Sequence, residues 1–529
     1  MFISTQMKLY IFNYWMGDMI DLNHLEKYRE NNRIEAKKAL GGLPKSIWET
    51  YSAFANTLGG IILLGVEENQ DKRLHPINLP NPELLVKEFW DTINNPKKVS
   101  VNILSEKDVK IGEANGCRII TITVPRAERY DKPVFLDGNP LSGSYRRNGE
   151  GDYKCTREEI TAMLRDAAAK SQDLLVLEKM ETSVFDADSI RRYRNRMSSL
   201  RPGHVWEELD DCDFLYKLGA LGRSDDGKLH PTAAGLLMFG HEYEIVKEFP
   251  NYFLDYREEG EGNERWIDRV VSTSGDWSGN LYDFYFRVYQ KLVENLKIPF
   301  KLEGGVRIDD TAVHGAIREA LANCLVNADY HGSRGVVIIK KEQKITMANP
   351  GGFRIDIADA KSGGVSDPRN TALIKMFNLI NIGERAGSGI PNIYRVWDRN
   401  GWNCPEITES FEPDRITIVL ETPAVNPEDN AEPARETGGK PAVNTGDNAS
   451  PAKNTGGKPA VNTERMSGAC QREVIIEYLT DNVSASPAVL AEVLGIKSSR
   501  TRDILRVMRE EGIIEAQGSG RNRIYRLRS

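Results

Sequence analysis

The sequence predicts a multidomain α/β protein whose last domain is attached by a flexible tether. A length of 529 residues suits about three or four domains. Buried-strand patterns alternate with helical periodicity along most of the chain, and a polar repeat interrupts it near the end. We expect a loose extension (1–18), an α+β domain (19–168), a connecting α/β region (169–300), an α/β sandwich (301–420), the tether (421–465) and a small terminal domain (466–529).

Composition narrows the functional classes. The chain is 40% apolar and 28% charged, as in ordinary soluble proteins. Its formal charge of −7 excludes a uniformly basic coat, so any nucleic-acid contact must be a local patch. Six widely spaced cysteines argue against zinc and disulfides and for a reducing cytoplasm. No apolar run approaches the roughly 20 residues of a membrane span, so we expect no membrane contact.

An apolar helix followed by a buried strand marks the first domain. The helix over 45–58 ends at Gly59-Gly60 and leads into the strand 61–66, while Thr156 and Glu159 form a capping box before a later helix. The segment 53–66, AFANTLGGIILLGV, closely resembles the Schlafen AlbA-type domain. That resemblance covers about 21–166 and implies a module that binds DNA or RNA. Candidate phosphate contacts are Lys37, Lys45, Arg146, Arg147 and Lys154.

The same resemblance leaves a nuclease as the alternative. Schlafen proteins that cut RNA use a carboxylate triad that includes Glu-x-x-x-x-Glu-x-Lys. Glu30, Glu35 and Lys37 have this spacing, and Glu68 is the nearest third acid, where the family uses Asp. Three acids could hold a divalent metal for phosphodiester hydrolysis, gated by nucleotide and acting in phage defence. The plain alternative is that Glu30 and Glu35 are solvated surface residues.

The connecting region carries no assignable chemistry. Helices are predicted over 186–196, 205–218 and 282–296, and 232–240 reads as a buried segment. Its aromatic cluster around Tyr282 to Tyr289 favours core packing over base stacking.

A polar stripe on one helix predicts a ligand cleft in the sandwich. Glu319, Asn323 and Asn327 recur every four residues and therefore share one helix face. Two strands follow, over 335–339 and 344–347, and Asn349-Pro350-Gly351-Gly352 ends the second. A second glycine turn, 387–390, precedes the helix 391–397.

These elements, in this order, resemble the GHKL ATPase fold shared by gyrase, the ninety-kilodalton heat-shock chaperone, histidine kinases and mismatch-repair ATPases. The resemblance implies ATP and Mg²⁺ as cofactors. Asn323 would be the Mg²⁺ ligand and Glu319 would orient the attacking water. Asn349 stands where the family has an adenine-binding Asp; its amide accepts a hydrogen bond but carries no charge. The further binding positions are Asn327, Gly351, Gly352, Gly387, Ser388 and Gly389.

The wider run from Arg318 to Ile390 resembles a bacterial group labelled RecG-like helicase or ATP-binding transcriptional regulator. A helicase motor needs a Gly-x-x-x-x-Gly-Lys-Ser/Thr loop to cradle phosphate, and the sequence contains none. The regulator label therefore fits better than the helicase label.

The tether and the terminal domain contrast sharply. Pro-Ala-Val-Asn begins at 423, 441 and 459, a strict repeat without large apolar residues that cannot form a core. Beyond it, helices over 471–479, 486–493 and 498–511 and a hairpin over 513–528 describe a winged helix. Its candidate DNA contacts are Arg500, Arg502, Arg506, Arg521 and Arg523. A protein-interaction module is the alternative.

The combined interpretation is a cytoplasmic, nucleotide-responsive DNA-binding protein, a transcriptional regulator that forms a homo-oligomer. The nuclease is the second hypothesis. An ATP-driven scaffold without nucleic-acid contact is the third.

Overall fold

The mixed α/β architecture predicted from the sequence is confirmed by the computed structural model. The structure describes residues 20–260, 266–294, 296, 301–303, 306–308, 311–383, 387–422, 475, 479, 484–494, 498–510, 513–517 and 523–527. The predicted extension (1–18) and all but the first two residues of the predicted tether lie outside the described residues. None of the described helices combines the length and the apolar character needed to cross a bilayer.

The first domain is built on a four-stranded sheet in the order β1-β2-β6-β5. Its strands are β1 (Ile34–Lys37), β2 (Gly60–Leu64), β3 (Val66–Glu68), β4 (Leu74–Pro76), β5 (Val109–Ala114), β6 (Cys117–Val124), β7 (Tyr145–Asn148) and β8 (Gly151–Lys154). Its helices are α1 (Ile47–Asn56), α2 (Pro82–Ile93), α3 (Pro140–Gly143) and α4 (Arg157–Ala167). β1 pairs in parallel with β2, and the other sheet pairs are antiparallel.

The central strand β2 is apolar throughout because both faces of the sheet are covered. Ile62 and Leu64 pack with α1 and α2, whereas Ile61 and Leu63 pack on the other side against a core that includes Leu25. Gly59 ends the preceding helix with φ +76, where a Cβ would lie 2.7 Å from the Val124 carbonyl oxygen. A side chain at position 59 would clash with this backbone, so the turn from α1 into β2 requires glycine there.

A second, six-stranded sheet has the order β12-β11-β15-β16-β18-β17. The strands from here to residue 421 are β9 (Leu221–Arg223), β10 (Leu229–Pro231), β11 (Leu254–Glu258), β12 (Asp268–Val271), β13 (Lys301–Glu303), β14 (Val306–Ile308), β15 (Val336–Lys341), β16 (Lys344–Pro350), β17 (Glu406–Phe411) and β18 (Asp414–Glu421). β11 runs parallel to β15, and the other neighbours are antiparallel.

Helices of both predicted regions share one core with this sheet. They are α5 (Ala187–Leu200), α6 (Asp211–Leu218), α7 (Ala233–Phe239), α8 (Glu242–Glu248), α9 (Leu281–Val293), α10 (Ala312–Val326), α12 (Thr371–Leu379) and α13 (Gly389–Arg399). The short helix α11 (Ile357–Ser362) contributes no residue to this core. The aromatic residues of α9 are buried in this core, as their spacing indicated: Tyr282, Phe284 and Tyr285. The boundary drawn at residue 300 thus divides one packed unit, because β11 and β12 belong to the same sheet as β15–β18.

The C-terminal domain comprises α14 (Pro487–Leu494), α15 (Ser498–Glu510) and an antiparallel hairpin of β19 (Ile514–Gln517) and β20 (Ile524–Leu527). Of the predicted helix 471–479, Ile475 and Leu479 are described, and both are helical and buried. They join the core formed by Leu490, Leu505, Met508, Ile514 and Tyr525.

Candidate nucleotide cavity and nucleic-acid surfaces

The polar stripe of α10 faces a cavity, as its spacing predicted. Ile317, Leu321 and Leu325 are fully buried on the opposite side of the helix. Glu319 and Asn323 line a cavity of about 130 Å³. The Asn323 side-chain amide donates to Glu319 Oε1 at 3.2 Å, which orients its carbonyl oxygen away from that carboxylate.

Asn327 lies at the end of α10 and also contributes to the cavity wall. Its side-chain amide donates to the Asn323 carbonyl oxygen at 3.0 Å. Its Oδ1 accepts from the backbone N–H of Arg369 at 3.3 Å. Asn327 therefore ties the helix end to the neighbouring loop, and its contacts are structural.

The first glycine turn borders the apolar end of the cavity. Asn349, buried at the end of β16, lies opposite Ile416 of β18, and its amide donates to the Pro350 carbonyl oxygen at 3.2 Å. Asn349 and Gly352 line this cavity, whereas Gly351, at φ +94, lines a neighbouring one. The apolar wall consists of Ile355, Ile374, Ile390, Ile393, Ile407, Ile416 and Ile418. A planar base would be enclosed by such aliphatic side chains.

The second glycine turn comes extremely close to the polar stripe. A Cβ on Gly389 would lie 2.1 Å from Glu319 Oε1 and 3.0 Å from Asn323 Nδ2, so any side chain at this position would displace the Glu319 carboxylate. Gly387 lines the same cavity with φ +66, and Ser388 occupies the N-cap position of α13 between them. The N-terminus of α13 is thereby held directly against Glu319 and Asn323, and its N–H groups favour an anionic ligand.

The residues present fit a nucleotide with a divalent cation. The cavity has a carboxylate and an amide oxygen at one end, a helix N-terminus beside them, and an aliphatic wall at the other end. Within the described residues no lysine lines it, and Arg354 and Arg369 are its only basic side chains. Cys324 also lines it, but burial raises the pKa of this thiol to about 12, so it is no nucleophile at neutral pH.

The predicted nuclease acids come together only in part. The Glu30 backbone N–H donates to Glu68 Oε1 at 3.3 Å, and burial, together with the charges of Glu35 and Glu68, raises the pKa of the Glu30 carboxyl. Glu35 is engaged by Lys37 and Arg147, both at 2.8 Å. In the part of the chain that the structure describes, no group of three or more His, Cys, Asp or Glu side chains is placed to hold a metal.

Two of the predicted phosphate contacts are wrong. The Arg147 side chain is 1% exposed and pairs with Asp152 at 2.9 Å as well as with Glu35. Arg146 forms a two-pronged ion pair with Asp414 at 2.6 and 2.8 Å. Both guanidinium groups serve protein carboxylates, so neither is presented to nucleic acid.

The other predicted contacts of the first domain differ in exposure. Lys37 is mostly covered and paired with Glu35, whereas Lys45 and Lys154 are exposed. Exposed lysines remain available for phosphate.

The basic residues of the terminal domain lie mainly on α15. Arg502, Arg506 and Arg509 are exposed on that helix, and Arg523 is half-buried before β20. Arg500 belongs to α15, but its side chain, like the whole of Arg521, lies outside the described residues.

Sequence patterns gave no sign of a dense ionic contact between the first domain and the second sheet. Arg126 binds both carboxylate oxygens of Glu409 and donates to the Phe353 carbonyl oxygen at 2.6 Å. Arg369, which lines the candidate nucleotide cavity around Glu319 and Asn323, pairs with Asp166 and donates to the Gly352 carbonyl oxygen at 2.8 Å. These residues lie in loops and strand ends without periodicity, and their partners are about 200 or more positions away.

Further ion pairs extend this contact in both directions. Arg165 binds Asp329 at 2.9 Å, and Arg129 pairs with Asp367. Asp329 and Asp367 both belong to the unit that carries the candidate nucleotide cavity. The turn between residues 351 and 354 is therefore held from one side by the first domain and faces the cavity on the other.

Different regions of the chain match different family models. Residues 30–156 match the model of the Schlafen AlbA_2 family. The first domain is a Schlafen AlbA_2 domain. Residues 334–420 match the family described as "Putative ATP-dependent DNA helicase recG C-terminal", and residues 472–515 match the winged helix-turn-helix DNA-binding family. The resemblances predicted from the sequence are thus confirmed for the AlbA_2 domain and for both later regions.

Residues 161–255, between the AlbA_2 domain and the recG-type region, match a family model that is described only as a domain of unknown function. No curated protein matches the chain. The DIP2311 protein from Corynebacterium diphtheriae, known from a crystal structure, is similar at 17% identity, over 94% of this chain and 95% of that one, with a TM-score of 0.41. The solution structure of the N-terminal domain of a "Putative ATP-dependent DNA Helicase RecG-related Protein" from Nitrosomonas europaea is 30% identical. That match covers 26% of this chain and 92% of the other, with a TM-score of 0.21.

Proposed function

We propose that the protein is a nucleotide-responsive DNA-binding protein that regulates transcription. The winged helix-turn-helix region supplies a DNA-binding module, and the AlbA_2 domain supplies a second nucleic-acid module. The observation that carries the nucleotide half is the close approach of Gly389 to the side chains of Glu319 and Asn323, which brings the N-terminus of α13 directly against both polar groups. Such an approach is needed where backbone N–H groups must reach a phosphate.

ATP with Mg²⁺ is the proposed ligand of this cavity. Asn323 would hold the metal through its amide oxygen, Asn349 would accept a hydrogen bond from the base, and the turn 387–389 would bind phosphate oxygens. When bound, Mg²⁺ supplies neutralisation of phosphate charge. Glu319 is placed beside Asn323 to orient a water molecule.

The direct test is DNA affinity with and without ATP and Mg²⁺, measured by fluorescence anisotropy on the full chain. The wild type should change its affinity when nucleotide is added, and Asn323→Ala should not respond. Equal DNA affinity of the wild type and Asn323→Ala, each with and without ATP and Mg²⁺, would contradict nucleotide control. If the wild type bound no DNA, the proposed function itself would be contradicted.

A metal-dependent nuclease is the second candidate function. Against it, the described residues contain no group of three acids placed to hold a metal. In its favour, the backbone N–H of Glu30 donates to Glu68 Oε1, which brings two of the three predicted acids near each other, and burial raises the pKa of the Glu30 carboxyl. Labelled RNA and DNA should then be cut in the presence of Mg²⁺ or Mn²⁺ by the wild type and not by Glu30→Gln. Intact substrates after prolonged incubation with both metals would exclude this candidate.

A further inference from the structure

Two loops in the wall of the candidate nucleotide cavity are bound to each other by arginines. The loops are residues 352–355 and 365–369. Arg369 of the second loop donates to the Gly352 carbonyl oxygen at 2.8 Å, and Arg354 of the first loop donates to the Pro368 carbonyl oxygen at 3.0 Å. Each loop therefore helps to set the position of the other.

The first domain supplies partners to both loops. The Asp166 carboxylate pairs with Arg369, and the Asp166 carbonyl oxygen accepts from Arg354 at 3.2 Å. Arg129 pairs with Asp367, which also lines the cavity. Neither Asp166 nor Arg129 is among the described residues that line this cavity. They hold the two loops from the side that faces away from a bound ligand.

Arg126 fixes the first loop at a further point. It donates to the Phe353 carbonyl oxygen at 2.6 Å, and its partner Glu409 accepts from the Phe353 backbone N–H at 2.7 Å. The Glu409 side chain is only 1% exposed, so water hardly competes for this ion pair. Phe353 lines the cavity, whereas Arg126 is not among the described residues of its wall. Arg126 thus acts on a cavity ligand through the loop and not by contact.

A wall that is already fixed lowers the entropy that a ligand must lose to order it. Docking of the first domain should therefore raise the affinity of the cavity, and a bound ligand should strengthen the docking by the same factor. We infer that the first domain regulates the nucleotide site: ATP binding and the contact made by Arg126, Arg129 and Asp166 stabilise each other. This coupling rests on the proposed ATP site, and it connects that site to the AlbA_2 domain.

The test compares two arginines of the same contact by calorimetric titration of the full chain with ATP and Mg²⁺. Arg126 and Arg146 each bind both oxygens of one carboxylate, but Asp414, the partner of Arg146, is not among the described residues of the cavity wall. Arg126→Met should weaken ATP binding about 5- to 150-fold, the usual range of a coupling between sites. Arg146→Met, the matched control, should change it by no more than about twofold, since it shares no partner with the ligand.

A second measurement uses the wild type alone. The helix α4, which carries Asp166, contributes none of the cavity-lining residues, so contact with ATP cannot protect it. Saturating ATP with Mg²⁺ should nevertheless slow hydrogen exchange in α4, because the contact with the loops is strengthened. The helix α2, which packs inside the AlbA_2 domain, is the control and should exchange at an unchanged rate.

The outcomes separate this coupling from the ATP site itself. A wild type that binds no ATP would overturn both. If the wild type binds ATP, the coupling alone is overturned by equal or tighter binding in Arg126→Met, by equal losses in Arg126→Met and Arg146→Met, or by unchanged exchange in α4. The exchange measurement decides even if Arg126→Met fails to fold.

Discussion

Asn323 is the residue on which the nucleotide assignment depends most directly. Asn323→Ala removes an oxygen ligand while preserving the helix, because alanine has the highest helix propensity. We expect ATP affinity in the presence of Mg²⁺ to fall at least about tenfold, the equivalent of one lost charge-assisted contact. Isothermal titration measures this, with Asn195→Ala on the exposed face of α5 as the control. Equal affinity in Asn323→Ala and wild type would remove Asn323 from the site.

Glu319 should affect turnover rather than binding. Glu319→Gln keeps the size of the side chain but loses the charge that orients water, so hydrolysis should slow by about 10²–10⁴-fold while ATP still binds. Phosphate release measures the rate of hydrolysis, and isothermal titration of the same samples measures the affinity for ATP. Unchanged hydrolysis in Glu319→Gln, or no hydrolysis by the wild type, would contradict a catalytic role and leave a binding switch.

Arg147 should matter for stability instead of nucleic-acid affinity. Arg147→Met leaves Glu35 and Asp152 without their buried partner, and breaking such a pair costs on the order of 3–5 kcal/mol. Hydrogen exchange should quicken in α1 and β7, whereas Lys154→Met should leave it unchanged. If Arg147→Met instead weakened DNA or RNA binding without any change in hydrogen exchange, Arg147 would be a phosphate contact after all.

Sequence spacing correctly predicted that Glu319 and Asn323 face one cavity, but it misjudged two arginines. Glu319 and Asn323 could be found because their partners are within one helix turn. The environment of Arg146 could not, because its partner Asp414 is 268 positions away and exposed and buried arginines look alike in a sequence.

Among the secondary-structure elements, α13 begins at a tightly packed glycine, Gly389. Gly389→Ala would drive a Cβ into Glu319, so ATP binding should fall sharply. Gly315→Ala, in α10, is the matched control: its Cβ would meet nothing closer than 3.8 Å, and alanine should stabilise that helix by up to about 1 kcal/mol. Calorimetric titration with ATP measures the affinity of both variants. If Gly389→Ala bound ATP as tightly as the wild type, the phosphate groups would bind elsewhere.

The winged helix should contribute to DNA affinity through its tether. For the tether predicted from the sequence, about 45 Gly- and Pro-rich residues, we expect a root-mean-square span on the order of 35–40 Å, enough for both nucleic-acid modules to reach one duplex. Deleting 466–529 should lower DNA affinity and its salt dependence, because the arginines of α15 leave with it. Gel shifts at two salt concentrations measure both effects. Unchanged affinity would mean that this domain binds a protein.

Local signals predicted most elements to within a few residues. The helix expected over 45–58 spans 47–56, the strand expected over 61–66 spans 60–64, and the capping box of Thr156 and Glu159 is present. The pairing of β11 with β15 was not foreseen, because about 80 residues separate the two strands and parallel pairing leaves no turn signal.

At the scale of the whole molecule, the ionic contact between the AlbA_2 domain and the second sheet holds the two units together. Arg126→Glu should loosen this contact, and Arg126→Glu combined with Glu409→Arg should restore it in part, because the pair is almost fully covered. Limited proteolysis and thermal unfolding of the single and double variants measure the coupling, which we expect to be about 1–3 kcal/mol. The exposed pair Lys98 and Asp137 is the control, with at most about 1 kcal/mol. Strict additivity for Arg126 and Glu409 would contradict a coupled contact.

The ionic contact also has a consequence for work with truncated proteins. A fragment that ends near residue 168 would keep four arginines that the full chain neutralises with acids beyond that point: Arg126, Arg129, Arg146 and Arg165. Arg146 would keep its ion pair with Glu159 at 3.2 Å, but the other three arginines would lose these partners. Each phosphate that the released charges neutralised would steepen the salt dependence of binding by about 0.9. The excised AlbA_2 domain should therefore hold nucleic acid of any sequence far more tightly than the intact protein does, through a surface that the intact protein keeps covered.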